Sequence, residues 1–139
     1  MSNMAKNQYF NKKKAIMKQA SFLILLALLT VRSQGQSLVN TNWRTYIGDP
    51  VNDSITLHIR PDSSFVTLTN GTVVVKSHCK VSGDTLSLDD YDGQYMCPNA
   101  VGRYKVSRAG DIITLALIDD PCDGRQQSLV GSKWRKVPD

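Results

Sequence analysis

Ser54-Ile55-Thr56-Leu57-His58-Ile59-Arg60-Pro61-Asp62-Ser63-Ser64-Phe65-Val66-Thr67-Leu68-Thr69-Asn70-Gly71-Thr72-Val73-Val74-Val75-Lys76 is the stretch that decides the fold. Apolar and polar side chains alternate on both sides of Pro61-Asp62 and resume across Asn70-Gly71, the dipeptide that most strongly signals a tight hairpin. Residues paired across a hairpin share a face, and a slip of one residue inverts that face, so the registers test one another. Around Asn70-Gly71, Leu68 pairs with Val73 and Val66 with Val75; around Pro61-Asp62, Leu57 pairs with Val66 and Ile55 with Leu68. A third turn at Ala109-Gly110 sets Val106 against Ile113, Tyr104 against Leu115 and Gly102 against Leu117. All three agree on one apolar face: Ile55, Leu57, Ile59, Val66, Leu68, Val73, Val75, Val81, Leu86, Leu88, Tyr104, Val106, Ile113, Leu115 and Leu117. Thr56, His58, Arg60, Thr67, Lys76, His78, Lys80, Arg103, Lys105 and Thr114 take the other, and Phe65, Val74 and Ile112 are the apolar exceptions there.

Outward from this core, turn signals recur about every 9 to 12 residues and no helix-length window shows a 3.6-residue period. The predicted strands are Trp43 to Ile47, Ser54 to Arg60, Ser64 to Thr69, Thr72 to Val81, Thr85 to Asp89, Gly102 to Arg108, Ile112 to Ile118 and Ser132 to Val137. A helical turn is expected from Pro121 to Ser128. An antiparallel meander of eight short strands with one apolar face removes its exposed edges most economically by closing into a small barrel. The fold class is therefore all-β.

The net charge of +5 belongs to one end of the chain. Lys6, Lys12, Lys13, Lys14, Lys18 and Arg32 precede residue 36 with no acid among them, leaving eleven basic against twelve acidic groups beyond it. The cluster is followed by the apolar run Ala20 to Val31 and then by Ser33 and Gly35, the layout of a secretory signal peptide with cleavage expected before Gln36. The run is too short for a membrane span of roughly 20 residues. With no cysteine until Cys79, lipidation of an N-terminal cysteine is excluded. The expected organisation is a signal peptide at 1–35 and one barrel domain at 36–139, secreted or periplasmic and not stably inserted in a membrane. All twelve acids are Asp and none is Glu, which suits turns rather than helices. The near-neutral domain argues against a nucleic-acid partner.

Cys97 and Cys122 stand symmetrically about the Arg108 to Asp111 turn, across the open end of that hairpin, and an oxidising compartment favours a bridge between them. It would close a loop of about 26 residues and stabilise the fold by roughly 3 to 4 kcal/mol. Cys79 shares the inward parity of Val75 and Val81 and reads as a buried thiol.

Chemistry-bearing clusters are sparse. Asp89-Asp90-Tyr91-Asp92-Gly93 and Asp119-Asp120-Pro121-Cys122-Asp123-Gly124 lack the ligand offsets and terminal bidentate carboxylate of a calcium loop and read as turns. His58 and His78 lie on the solvent face without a cysteine of matching parity, so no zinc site and no cofactor are expected. Ser77 and Tyr104 are the clear polar members of the inner face, and Ser77 has no inward histidine to activate it. No catalytic residue is assigned. Trp43 on the first strand and Trp134 on the last are expected to plug one barrel end where those strands meet, with Arg125 packed on an indole face.

Leu38-Val39-Asn40-Thr41-Asn42-Trp43, the tract Cys97 to Tyr104 ending Gly102-Arg103-Tyr104, and Asp120-Pro121-Cys122-Asp123-Gly124-Arg125 followed by Leu129 and Trp134 resemble the small exported lipocalin-like domains of bacteria, in the calycin group of barrels. Lipocalins open with Gly-x-Trp, and Thr41 stands here at the glycine position. The resemblance implies a structural lock at Trp43 and Arg125 and no catalysis. The expected function is non-catalytic binding of a small apolar or amphiphilic ligand in the barrel interior, with Leu57, Val66, Val75, Leu86, Tyr104 and Leu115 as candidate lining residues. The alternative is a solid domain that meets an envelope or extracellular protein through its outer surface and loops, with Phe65, Val74 and Ile112 as the places to look. The protein partner is not identifiable from sequence.

Overall fold

The computed structural model describes residues 37–139; the expected signal peptide at 1–35 lies outside the described residues. Eight strands follow in chain order: β1 Thr41–Ile47, β2 Asp53–Ile59, β3 Ser63–Thr67, β4 Val73–Ser82, β5 Thr85–Asp92, β6 Val101–Ala109, β7 Ile112–Asp119 and β8 Lys133–Val137. Each pairs antiparallel with the next, and β8 returns to β1, closing the barrel. Among the described residues one helix, α1 Asp123–Leu129, lies between β7 and β8, close to the expected span.

The face alternation is that of the sequence, with local departures. Leu57 faces Val66, and Val66 faces Val75, as the turns require. A register shift between Val66 and Thr67 then sets Val73 opposite Thr67 rather than Leu68. Bulges of this kind rotate the strand locally. Val73, expected inside, is 42% exposed, whereas Val74, expected outside, is buried. The chain at Gly93 to Tyr95 crosses the Val74 backbone so closely that a Cβ on Gly93 would lie 2.3 Å from the Val74 carbonyl oxygen, and Tyr95 N–H donates to that oxygen. The β6–β7 pairing slides by two residues from expectation: Val106 meets Leu115 and Tyr104 meets Leu117, because the hairpin turns at Gly110-Asp111 between Ala109 and Ile112. A slide of two preserves the face.

One end of the barrel is closed by packing. Leu38, Trp43, Ile59, Leu86, Val106, Ile113 and Trp134 are buried together, with Val81 partly covered beside them. The Trp43 indole N–H donates to Thr41 Oγ1 at 2.7 Å, and Thr41 in turn donates to the Leu38 carbonyl, so the hydroxyl at the glycine position has a structural use. The guanidinium over the Trp43 ring is that of Arg108, 5.2 Å from the centroid. Arg125 is engaged elsewhere, against Asp90 and Asp120.

Candidate functional site

The opposite end gathers the turn after β1, the Leu68 to Thr72 turn, the loop from Gly93 to Ala100, and α1 with its flanks. Its two halves differ. On the β4–β7 side, α1 and the 93–100 loop cover the mouth, joined by the Cys97–Cys122 disulfide, whose Cα atoms are 6.1 Å apart. Arg125 and Leu129, one helical turn apart, are the buried residues of α1, so this short helix turns one face into the barrel.

Beneath the helix lies a charged plug. The inward parity of Leu86 and Leu88 continues to Asp90, because β5 runs on to Asp92 instead of turning at Asp89. Arg125 Nη1 lies 2.9 Å from Asp90 Oδ2, while Arg125 Nε donates to Asp120 Oδ2 at 2.7 Å and Nη2 to Asp120 Oδ1 at 2.9 Å. Nη2 also donates to the Ala100 carbonyl. Tyr104 donates its hydroxyl proton to Asp120, Ser77 donates to Asp90 at 2.7 Å, and the Cys97 and Cys122 amides donate to Asp90 and Asp120. The side chains of Arg125, Asp90 and Asp120 are 7%, 2% and 0% exposed. Gly102 sits in the inward register below them. A Cβ there would fall 2.4 Å from Asp120 Oδ2 and 3.0 Å from Arg125 Nε, so glycine is what lets the plug seat.

The plug's protonation follows from its contacts. Burial alone would push the Asp120 carboxyl up, but hydrogen bonds from Arg125 and Tyr104 outweigh it and hold the group below its ordinary value. Burial, and then the Asp120 carboxylate that accepts its proton, hold the Tyr104 hydroxyl well above its ordinary value. Arg125 is disfavoured as a cation by burial but more strongly held as one by Asp120 and Asp90. One guanidinium therefore serves two carboxylates, with neutral donors meeting the remaining lone pairs.

On the β1–β3 side the mouth is lined differently. Ile47, Val51, Val66 and Leu68 pack against the core and remain only partly buried. Of the sequence-derived lining residues, Leu57, Leu86, Tyr104 and Leu115 are sealed in the core, while Val66 and Val75 keep some exposure. Leu117 has the expected inward parity yet is 44% exposed, because β8 pairs with β7 only as far as Thr114 and no strand covers the end of β7.

The sequence reads Asp90 and Asp120 as turn residues and leaves Ser77 and Tyr104 as the clear polar members of the inner face. The structure corrects this: both aspartates are buried. The usable signals were the parity of Asp90 with Leu86 and Leu88, and the inward Gly102. His58 is also more than a surface histidine. Its ring stacks on Phe65 at 4.2 Å, both ring nitrogens lie within hydrogen-bond distance of Asn42 and Thr67, and burial followed by the nearby Arg60 charge lowers its pKa. Burial raises the Cys79 thiol to about 11, so it stays protonated and unreactive at neutral pH. Among the described residues, no three His, Cys or Asp side chains converge as a metal would need. Compared with known proteins, the chain matches no family, no curated protein and no solved structure.

Proposed function

We propose that the domain is an exported, non-catalytic binding module that takes a small apolar or amphiphilic ligand at the half-covered mouth rather than in the deep interior. The observation that carries this reading is the set Ile47, Val51, Val66 and Leu68: apolar side chains that rest on the core and are left partly uncovered, beside a mouth otherwise shut by α1. Such side chains gain roughly 25 cal/mol per Å² when a ligand completes their burial. Binding without turnover fits a plug whose ionisable atoms are spent on one another, with Tyr104 and Asp120 held away from neutral titration. A lipocalin-like assignment fits the eight-stranded closed meander, and secretion or a periplasmic location fits the leader composition.

The test is a fluorescence titration with N-phenyl-1-naphthylamine, displaced by dodecanoate. Saturable one-to-one brightening, reduced about tenfold in affinity by Leu68→Asp, is expected. Absence of saturable binding would favour the second reading, a solid β-domain acting through its outer surface. That reading has its own support, since Trp43, Trp134, Tyr104, Leu57, Ile59, Leu86, Ile113 and Leu115 fill the interior with almost no exposure.

A further inference from the structure

The outer wall pairs its charges in two different ways. Over β4–β7, opposite signs face each other: Lys76 stands across from Asp92 and Arg103 from Asp119, closing ion pairs of 2.7 and 3.1 Å. Lys105 adds a contact of 3.7 Å to Asp84. Where β8 meets β1 the rule reverses, and Arg44 stands directly across from Arg135. Trp43 and Trp134 point inward, so both arginines point outward, and Lys133 shares their face two residues along β8. Like charges directly opposite are destabilising in an antiparallel pair. Among the described residues, no carboxylate lies within ion-pair distance of Arg44, Lys133 or Arg135. Arg44 Nε donates to Thr56 Oγ1 and leaves its terminal N–H groups unspent. Asp139, two residues beyond β8, pairs with Arg60 at the barrel's packed end.

The side chains around these cations are apolar, aromatic or hydroxyl-bearing rather than acidic. Tyr46, 60% exposed, follows Arg44 on the same face, and Ile112 and Val137 are half-buried beside Arg135 and Asn42. A soluble polyanion has no use for them. At a lipid interface, cations meet phosphates while tyrosine and aliphatic groups rest at headgroup depth. We propose that the β8–β1 wall is the surface by which this domain lies on an anionic phospholipid membrane, with Arg44, Lys133 and Arg135 on the lipid phosphates and Tyr46 beside them.

Cosedimentation of the domain, residues 36–139, with vesicles of phosphatidylglycerol and phosphatidylcholine at low salt tests this. Binding to the mixed vesicles, none to pure phosphatidylcholine, and release by salt are expected. The double variant Arg44→Gln, Arg135→Gln should weaken binding about twenty-five-fold, at about fivefold per cation near an anionic surface. A charge-matched control on the opposite wall, Lys80→Gln with Lys105→Gln, should retain binding within about twofold, and Lys133→Gln alone should lose about fivefold. Equal losses in the control and the double variant would reduce the effect to net charge and overturn the proposal. Failure of the wild type to bind the mixed vesicles would overturn it too. So would Arg44- and Arg135-dependent binding to soluble polyglutamate without vesicle binding, which would assign the wall to an acidic protein.

Discussion

Arg125 is a buried cation whose removal would strand two carboxylates. Arg125→Met keeps the length and apolar stem but leaves Asp90 and Asp120 facing each other in a site with little water. Breaking such a cluster by removing one partner costs about 3 to 5 kcal/mol. Urea unfolding should show that loss as a lower midpoint with an unchanged slope. Gly102→Ala acts on the same atoms by sterics, since its Cβ has no room beside Asp120, and should cost about 1 to 3 kcal/mol. The plug also sets a pH window. Asp120 has a folded-state pKa below its unfolded value, so its contribution is complete above about pH 4 and is lost as pH falls through the folded value. Tyr104 has a folded-state pKa above its unfolded value, so its contribution is complete below about pH 10 and is lost as pH rises beyond it. Thermal midpoints measured across pH should fall on both flanks; Tyr104→Phe should flatten the alkaline one and, by removing one of the hydrogen bonds that lower Asp120, also soften the acid one.

At the scale of elements, the strands were legible because alternation is a strong local signal, and three separate hairpins had to agree on one face. The plug was less legible for physical reasons. Asp90 follows Asp89 and precedes Tyr91-Asp92-Gly93, a string whose composition says turn, whereas cross-strand bonding to β4 and the demand of Arg125 for a carboxylate keep it in the strand. Arg125 carries no periodic signal at all, and its placement follows from the docking of α1, which is tertiary. Val73 and Val74 exchange burial because a bulge and a covering loop act on β4 from neighbouring elements, neither of them visible in the local pattern. The helix itself has seven residues, no side-chain N-cap and no basic residue in its last turn, so its position rests on Arg125, Leu129 and the disulfide. Replacing Cys97 and Cys122 with alanine should lower stability by about 3 to 4 kcal/mol. Hydrogen exchange should then rise first in the amides of α1 and the 93–100 loop, ahead of β4–β7.

For the whole molecule, the barrel separates its tasks by position. The Trp43–Arg108 end is packed shut, the α1 side of the other end is held by charge and disulfide, and the β1–β3 side of that end leaves Ile47, Val51, Val66 and Leu68 partly uncovered. The proposed binding at the mouth would need no movement of the plug, so ligand affinity should be nearly flat between pH 5 and 9, where Asp120 and Tyr104 keep their protonation states. The most direct measurement is an amide chemical-shift titration of the 15N-labelled domain with dodecanoate. Saturable shifts concentrated at Ile47, Val51, Val66 and Leu68, with the amides of Leu86, Ile113 and Trp134 undisturbed, are the predicted result. Shifts confined to the outer wall, or none that saturate, would contradict a ligand site at the barrel mouth.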